Sequence, residues 1–335
     1  MMTWKLSFLR KKKGSLFMSM KLSVILPNGA TNELAGIKDP VEAYETMTRV
    51  AQTAEEVGFD AVWVSDVLWP GDFSGKDASQ GFLFECWTTM AALARDTSHI
   101  RIGQIVTCNM FRHPALLAKM ASTVDVMSHG RLTVGIGSGS PAIASQARAY
   151  GYDYPDVPVR SRQLREAVQI LIAIWTQEEA TFEGKFYSVR GAINQPKGVQ
   201  QPYIPLLIAG NGEQVTLKLV AQYGDACNVH GDPVTLKNKF AVLKEHCETI
   251  GRDYQSIHRT SGSYCVFEDT DEQAQAKVPD KVRSIFGNAA LIGSSATIRE
   301  RIAAYEDAGV QELLLRFPGT EPQDTIRRFA QEFIA

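Results

Sequence analysis

Cysteine is scarce and unpatterned in this chain. Cys86, Cys108, Cys227, Cys247 and Cys265 are five, an odd number, and include no C-x-x-C pair. That argues against a disulfide framework or a zinc site and for reduced thiols in a cytoplasmic setting. Net charge is nearly absent too, at −2, so no basic field draws nucleic acid or an anionic membrane surface. No apolar run reaches the ~20 residues that span a bilayer. There is no H-E-x-x-H and no carboxylate cluster at ligand spacing, so no metal is expected. The G-x-S-x-G of a serine nucleophile is missing. A dinucleotide fingerprint is missing as well, since Ser140 stands where the glycine after Gly135 and Gly137 belongs.

What the chain has is a core-forming composition, 44% hydrophobic against 21% charged, and a repeating strand-then-helix pattern. Residues 112–139, RHPALLAKMASTVDVMSHGRLTVGIGSG, hold one full unit. Leu117, Met120, Ala121, Val124 and Met127 recur at helical spacing. Pro114 suits a first turn, and His129-Gly130 stops the helix. LTVGIG reads as a strand covered on both faces, and its exit, Gly137-Ser138-Gly139, offers backbone to a ligand.

The same alternation places strands at KLSVILPNG, FDAVWVSD, RIGQIVT, IPLLIAG, DACNV, HRTSGSYCVF and VQELLLRF. Helices fall between them, one of them starting near Glu213, and ATFEGKFYSV reads as a β-hairpin insertion near 180–190. Eight strands, each followed by a helix, predict an α/β fold, a single (β/α)8 TIM barrel. Such a barrel needs about 250 residues and grows by loop insertion. The barrel domain is expected over 20–335, and the basic stretch 1–19 reads as a leader or upstream-start extension.

This wording resembles the bacterial luciferase-like monooxygenase superfamily, whose members use FMN or the deazaflavin coenzyme F420. The resemblance rests on the 112–139 segment, on EEVGFDAVWVSD, on QPYIPLLIAGNGEQVTLKLVAQYGDACN and on AAYEDAGVQELLLRF. It implies an oxidoreductase, a homodimer and a separate enzyme that reduces the cofactor. Two departures from the superfamily pattern stand out. Val67 takes the place of a histidine after Asp66, and SPAIASQ over 140–146 replaces a segment that carries a tryptophan and a glutamate.

In such a barrel the strands' carboxyl ends converge on the active site. Here they are rich in hydrogen-bonding and small groups and poor in charge, which suits an organic cofactor that brings its own redox chemistry. Gly210, Asn211 and Gly212 form the phosphate candidate, because a strand-to-helix turn presents N–H groups and a helix dipole; an ordinary turn is the alternative. The resemblance supports that assignment and directs Asp66 toward the ring edge or substrate; capping the next segment or holding its loop is the alternative. It also implies a non-proline cis peptide between Thr107 and Cys108 behind the ring, with Asn109, Gly137 and Ser138 alongside. His230 is an acid–base candidate, since imidazole is the side chain suited to such work near neutrality; a merely solvated histidine is the alternative. Cys108 reads as a packed residue and not a nucleophile. Arg316 either reaches a phosphate or pairs with a carboxylate.

The catalytic candidates are therefore Asp66, Asn109 and His230. The cofactor candidates are Asp66, Thr107, Cys108, Gly137, Ser138, Gly210, Asn211 and Gly212. The expected chemistry is F420-dependent hydride transfer to or from a small organic substrate. The alternatives are an FMN monooxygenase using oxygen and, from another class, a non-catalytic flavin-binding or partner subunit.

Overall fold

The computed structural model describes residues 20–71 and 81–334. The expected leader over 1–19 lies outside these described residues. The chain opens with β1 (Lys21–Ile25), α1 (Pro40–Glu56), β2 (Ala61–Val64), α2 (Cys86–Asp96), β3 (Arg101–Gln104), β4 (Thr107–Cys108), α3 (Pro114–Met127) and β5 (Leu132–Gly137). It continues through α4 (Ala144–Ala149), α5 (Val157–Thr176), β6 (Glu179–Glu183), β7 (Ser188–Ile193), β8 (Leu206–Ala209), α6 (Thr216–Tyr223), β9 (Ala226–Asn228) and α7 (Pro233–Thr249). Last come β10 (His258–Phe267), α8 (Asp271–Ala276), α9 (Asp280–Phe286), β11 (Leu291–Gly293), α10 (Ser295–Asp307), β12 (Glu312–Arg316) and α11 (Gln323–Phe333).

The strands β1, β2, β3, β5, β8, β9, β10 and β12 pair in that order, all parallel. β12 returns to β1 from Lys21↔Glu312 to Val24↔Leu315, closing the eight-stranded barrel. Closure leaves no barrel edge exposed. The outer strand faces pack on the helices in one large apolar core. Aspartate caps set the starts of α1, α5 and α7: Asp39, Asp156 and Asp232 accept the N–H groups of Val41, Val159 and Thr235. Each cap is worth about 1 kcal/mol. The β6–β7 hairpin is antiparallel, and Glu166 of α5 holds its turn by accepting from the N–H groups of Lys185, Phe186 and Tyr187. Among the described residues no helix is long and apolar enough to cross a membrane.

RIGQIVT is not one strand. β3 stops at Gln104, and β4 resumes alongside β5 after a non-proline cis peptide between Ile105 and Val106. The cis bond thus lies earlier in the chain than the expected Thr107–Cys108 position. The alternating glycines of β5 accommodate this break. A Cβ on Gly135 would lie 2.0 Å from the Gln104 carbonyl oxygen, and one on Gly137 would lie 2.8 Å from Val106 Cγ2. They give room to the neighbouring strand. The helix expected from Glu213 begins at Thr216, and α8, α9 and β11 form an addition in which β11 extends the sheet beside β10.

At the amino-terminal mouth of the barrel Glu312 is buried and accepts from Ser23 Oγ at 2.6 Å and Trp63 Nε1 at 3.3 Å. His258 Nε2 lies 2.8 Å from its other oxygen. Burial opposes the charge of Glu312, but His258, Ser23 and Lys21 outweigh it and hold the carboxyl below the usual range. Nearby Asp60 is pushed up, by burial above all.

Candidate active site

A cavity of about 800 Å³ opens at the carboxyl ends of the barrel strands. Asp66, Thr107, Cys108, Gly137, Ser138, Gly210, Asn211, Gly212 and His230 all line it, with Arg316 at the same mouth. Asn109 stands apart from these lining residues. Its N–H donates to the Gly137 carbonyl at 3.0 Å and its Nδ2 to the Tyr187 hydroxyl at 3.2 Å. It ties the hairpin to the barrel.

Asp66 is surrounded by donors from its own chain. Oδ2 accepts from Thr107 Oγ1 at 2.9 Å, from the Cys108 N–H at 3.0 Å and from Arg112 at 2.7 Å, while Oδ1 accepts from Arg112 at 3.1 Å. Arg112 also pairs with Glu85, the cap of α2. Burial lowers the guanidinium's affinity for its proton, but the two carboxylates outweigh that and raise it. Asp66 therefore positions β4 at the back of the cavity. Thr107 Oγ1 in turn receives Trp87 Nε1 at 2.7 Å. Burial pushes the Cys108 thiol up to about 12, so it stays protonated and a poor nucleophile.

The divergent segment after Gly139 builds one wall. It forms a short 3-10 turn over Pro141–Ile143 and then α4. From α4, buried Gln146 reaches the loop after β2, accepting from the Leu68 N–H at 2.8 Å and donating to the Trp69 carbonyl at 3.1 Å. Val67, on the same loop, faces the cavity.

On the opposite loops, Gly210 has φ +140°, backbone that a side chain rarely adopts. A Cβ there would lie 3.2 Å from Thr216 Cγ2, and one on Gly212 would lie 3.1 Å from Thr216 Oγ1. The turn wraps this threonine closely. The Gly210 N–H donates to the Asn228 carbonyl at 3.1 Å. Asn211 clasps the backbone of His230, accepting from its N–H at 3.0 Å and donating to its carbonyl at 2.6 Å. The His230 ring sits edge-on to Phe286, with centroids 5.4 Å apart. Arg316 pairs with Glu33 and donates to Ser65 Oγ at 3.0 Å, so its charge is already answered.

Sequence reasoning did not single out Arg112, Thr216 or Arg160. The last lies in the first turn of α5 and lines the cavity, yet it is only 4% exposed. A charged residue in the first turn after the Asp156 cap was the available signal, but a buried arginine and a solvated one read the same in sequence.

The luciferase-like monooxygenase family matches residues 20–289, and the chain belongs to that family. Among its relatives is an F420-dependent glucose-6-phosphate dehydrogenase from Microbacterium testaceum, 26% identical over 84% of this chain and 90% of that protein. One of the same name from Amycolatopsis mediterranei is 30% identical over 69% of this chain and 66% of its own length. Similar solved structures include an F420-dependent secondary alcohol dehydrogenase, with a TM-score of 0.75, 22% identity and coverage of 94% and 98% of the two chains. A monooxygenase from Streptomyces bottropensis gives a TM-score of 0.77 at 18% identity, covering 94% and 97%. The family read from the sequence and the closed barrel are both borne out.

Proposed function

We propose that this protein is an oxidoreductase that transfers hydride between F420 and a small organic substrate. The observation that carries this is the cavity of about 800 Å³, whose lining is dominated by glycine, small hydroxyl and aliphatic residues at the barrel's carboxyl mouth. A large planar cofactor with a phosphate tail fits such a mouth. The turn at Gly210 and Gly212, where a Cβ would press on Thr216, would hold the phosphate. Ile105, Val106 and Thr107 would support the back of the ring, with Gly137 and Ser138 beside it. The F420-dependent relatives support the choice of cofactor.

When bound, the deazaflavin supplies a ring carbon that carries hydride. The chain's own residues do the rest. Asp66 and Arg112 fix the back wall, Val67 and Ile143 exclude water from one side, and His230 at the mouth exchanges the substrate proton. The proposed protein works as a cytoplasmic homodimer, with one barrel domain over 20–335, a leader or upstream-start extension over 1–19, and a separate enzyme that reduces the cofactor.

The test is a titration of the apoprotein with F420 and, separately, with FMN, followed by tryptophan quenching. Tight binding of F420 with weak binding of FMN is expected. Tight binding of FMN alone would replace hydride transfer with oxygen chemistry, and binding of neither would end the proposal.

A further inference from the structure

The barrel floor carries charge where such barrels are usually filled with branched apolar side chains. β1, β3, β10 and β12 begin with Lys21, Arg101, His258 and Glu312, and all four line a hollow of about 40 Å³ at the amino-terminal mouth. Glu312 and His258 answer each other at 2.8 Å. Arg101 has no such answer. Its Nη2 donates to Thr133 Oγ1 at 2.9 Å and to the Leu132 carbonyl at 3.4 Å. Among the described residues no carboxylate lies within ion-pair distance of it. Burial lowers the guanidinium's affinity for its proton, and Glu312 and Asp125 offset that only in part.

A second hollow, of about 240 Å³, adjoins the first and shares Arg101, Pro205 and Asp225 with it. The loop before β8 lines the rest, with Gln201, Pro202 and Tyr203. Asp225 accepts from the Leu206 N–H at 2.9 Å and from the Tyr203 hydroxyl at 3.3 Å. It too has no cation within ion-pair distance among the described residues. Burial pushes its carboxyl up, against the pull of those donors and of Arg252.

Two opposite charges thus share one hollow, each short of compensation and not paired with the other. Buried charges are stable when they are paired. A guanidinium fork takes a carboxylate through parallel N–H groups, and Asp225 offers its oxygens to a cation. Asp225 also disfavours a multiply charged anion here, because like charges would meet in a half-buried place.

We propose that the amino-terminal mouth is a second ligand site, which takes a small zwitterion of the α-amino acid type, with its carboxylate on Arg101 and its ammonium on Asp225. The rings of Pro202, Pro205 and Tyr203 would receive a small apolar side chain. The site lies at the opposite end of the barrel from the carboxyl-mouth cavity. It goes beyond the oxidoreductase reading and does not depend on it.

The experiment uses the full-length protein without cofactor. The probes are glycine, L-leucine and the two halves of L-leucine: isocaproate, which keeps the carboxylate, and isopentylamine, which keeps the ammonium. Calorimetry is expected to show millimolar or tighter binding of an amino acid, with each half about tenfold or more weaker than L-leucine. Arg101→Met should bring L-leucine down to the level of isopentylamine, and Asp225→Asn to that of isocaproate. Hydrogen exchange over residues 200–206 should slow when the amino acid binds, which locates the site without any variant.

A wild type that binds neither glycine nor L-leucine at millimolar concentration would overturn the proposal. So would equal affinity for L-leucine and either half, unchanged affinity in Arg101→Met, or exchange that slows only at the carboxyl-mouth loops. Since no cofactor is present in these measurements, a protein that binds neither F420 nor FMN would lose the oxidoreductase reading and keep this one.

Discussion

Arg112 grips both carboxylate oxygens of Asp66, at 2.7 and 3.1 Å, and the pair joins the exit of β2 to the chain just after β4. The side chains are 11% and 1% exposed, so each is the other's main source of charge compensation. A fork-shaped donor on a carboxylate also fixes orientation, which a lysine at this place would not do.

Removing both members should therefore cost less than the sum of removing each. Arg112→Met leaves Asp66 buried and unpaired and is expected to lose about 3 kcal/mol or more of stability. The Asp66→Asn, Arg112→Met double variant is expected to lose less than the sum of the single changes. Urea unfolding of the full cycle measures the coupling, and additive losses would show that the pair does not act as a unit.

Glu312 predicts a pH dependence. Its carboxyl is held below its usual 4.5 in the folded protein, so the unfolded chain takes up that proton first as pH falls. The stabilisation is full above the unfolded value and disappears as pH drops through the lower folded value. Glu312→Gln should then be less stable than wild type by a constant amount near neutrality, with the gap closing below about pH 4.5. Unfolding curves across pH check this, and a gap that widens on acidification contradicts it. Removing the Glu312 charge should also ease the ionisation of Asp60, since Glu312 is one of the groups raising it.

Gln146 serves two backbone groups at once, the Leu68 N–H and the Trp69 carbonyl. Gln146→Ala should cost about 2 kcal/mol, because part-buried backbone groups lose their partners. Hydrogen exchange at the Leu68 amide should speed up in the variant. Unchanged protection there would mean that the loop holds its shape without α4.

Gly135 is expected to tolerate no side chain. Its Cβ would meet the Gln104 carbonyl oxygen at 2.0 Å, whereas a Cβ on Gly36 has its nearest neighbour at 3.9 Å. Gly135→Ala should lose about 3 kcal/mol or fail to fold, since backbone must move to admit the methyl group. Gly36→Ala should be close to neutral by thermal unfolding. Equal behaviour of the two variants would remove the steric account of the β5 glycines.

Much of the barrel was legible because its strands are buried on both faces and so read as short apolar runs, as in LTVGIG and IPLLIAG. The Asp39, Asp156 and Asp232 caps set helix starts through hydrogen bonds within two or three residues, the range over which sequence carries such signals well. Strand ends then gave the ring of cavity residues with the exception of Asn109, which turns toward Tyr187 on the inserted hairpin. That partner is 78 residues away and belongs to a part of the chain whose docking no local pattern encodes. The break inside RIGQIVT was hidden for a similar reason, because its room is made by Gly135 and Gly137 on another strand. Arg160 was invisible as a cavity residue because lining a cavity is a property of neighbours in space.

The clasp of Asn211 on His230 has a consequence for how this mouth can change. With both backbone polar groups of His230 bound to one amide, the loops after β8 and β9 are tied into a single rim. A turn transplanted from a relative would arrive without its seat unless the following loop came with it. Remodelling this side of the cavity is thus a matter of exchanging two loops together, as the wall carried by α4 goes with the loop after β2 that Gln146 holds.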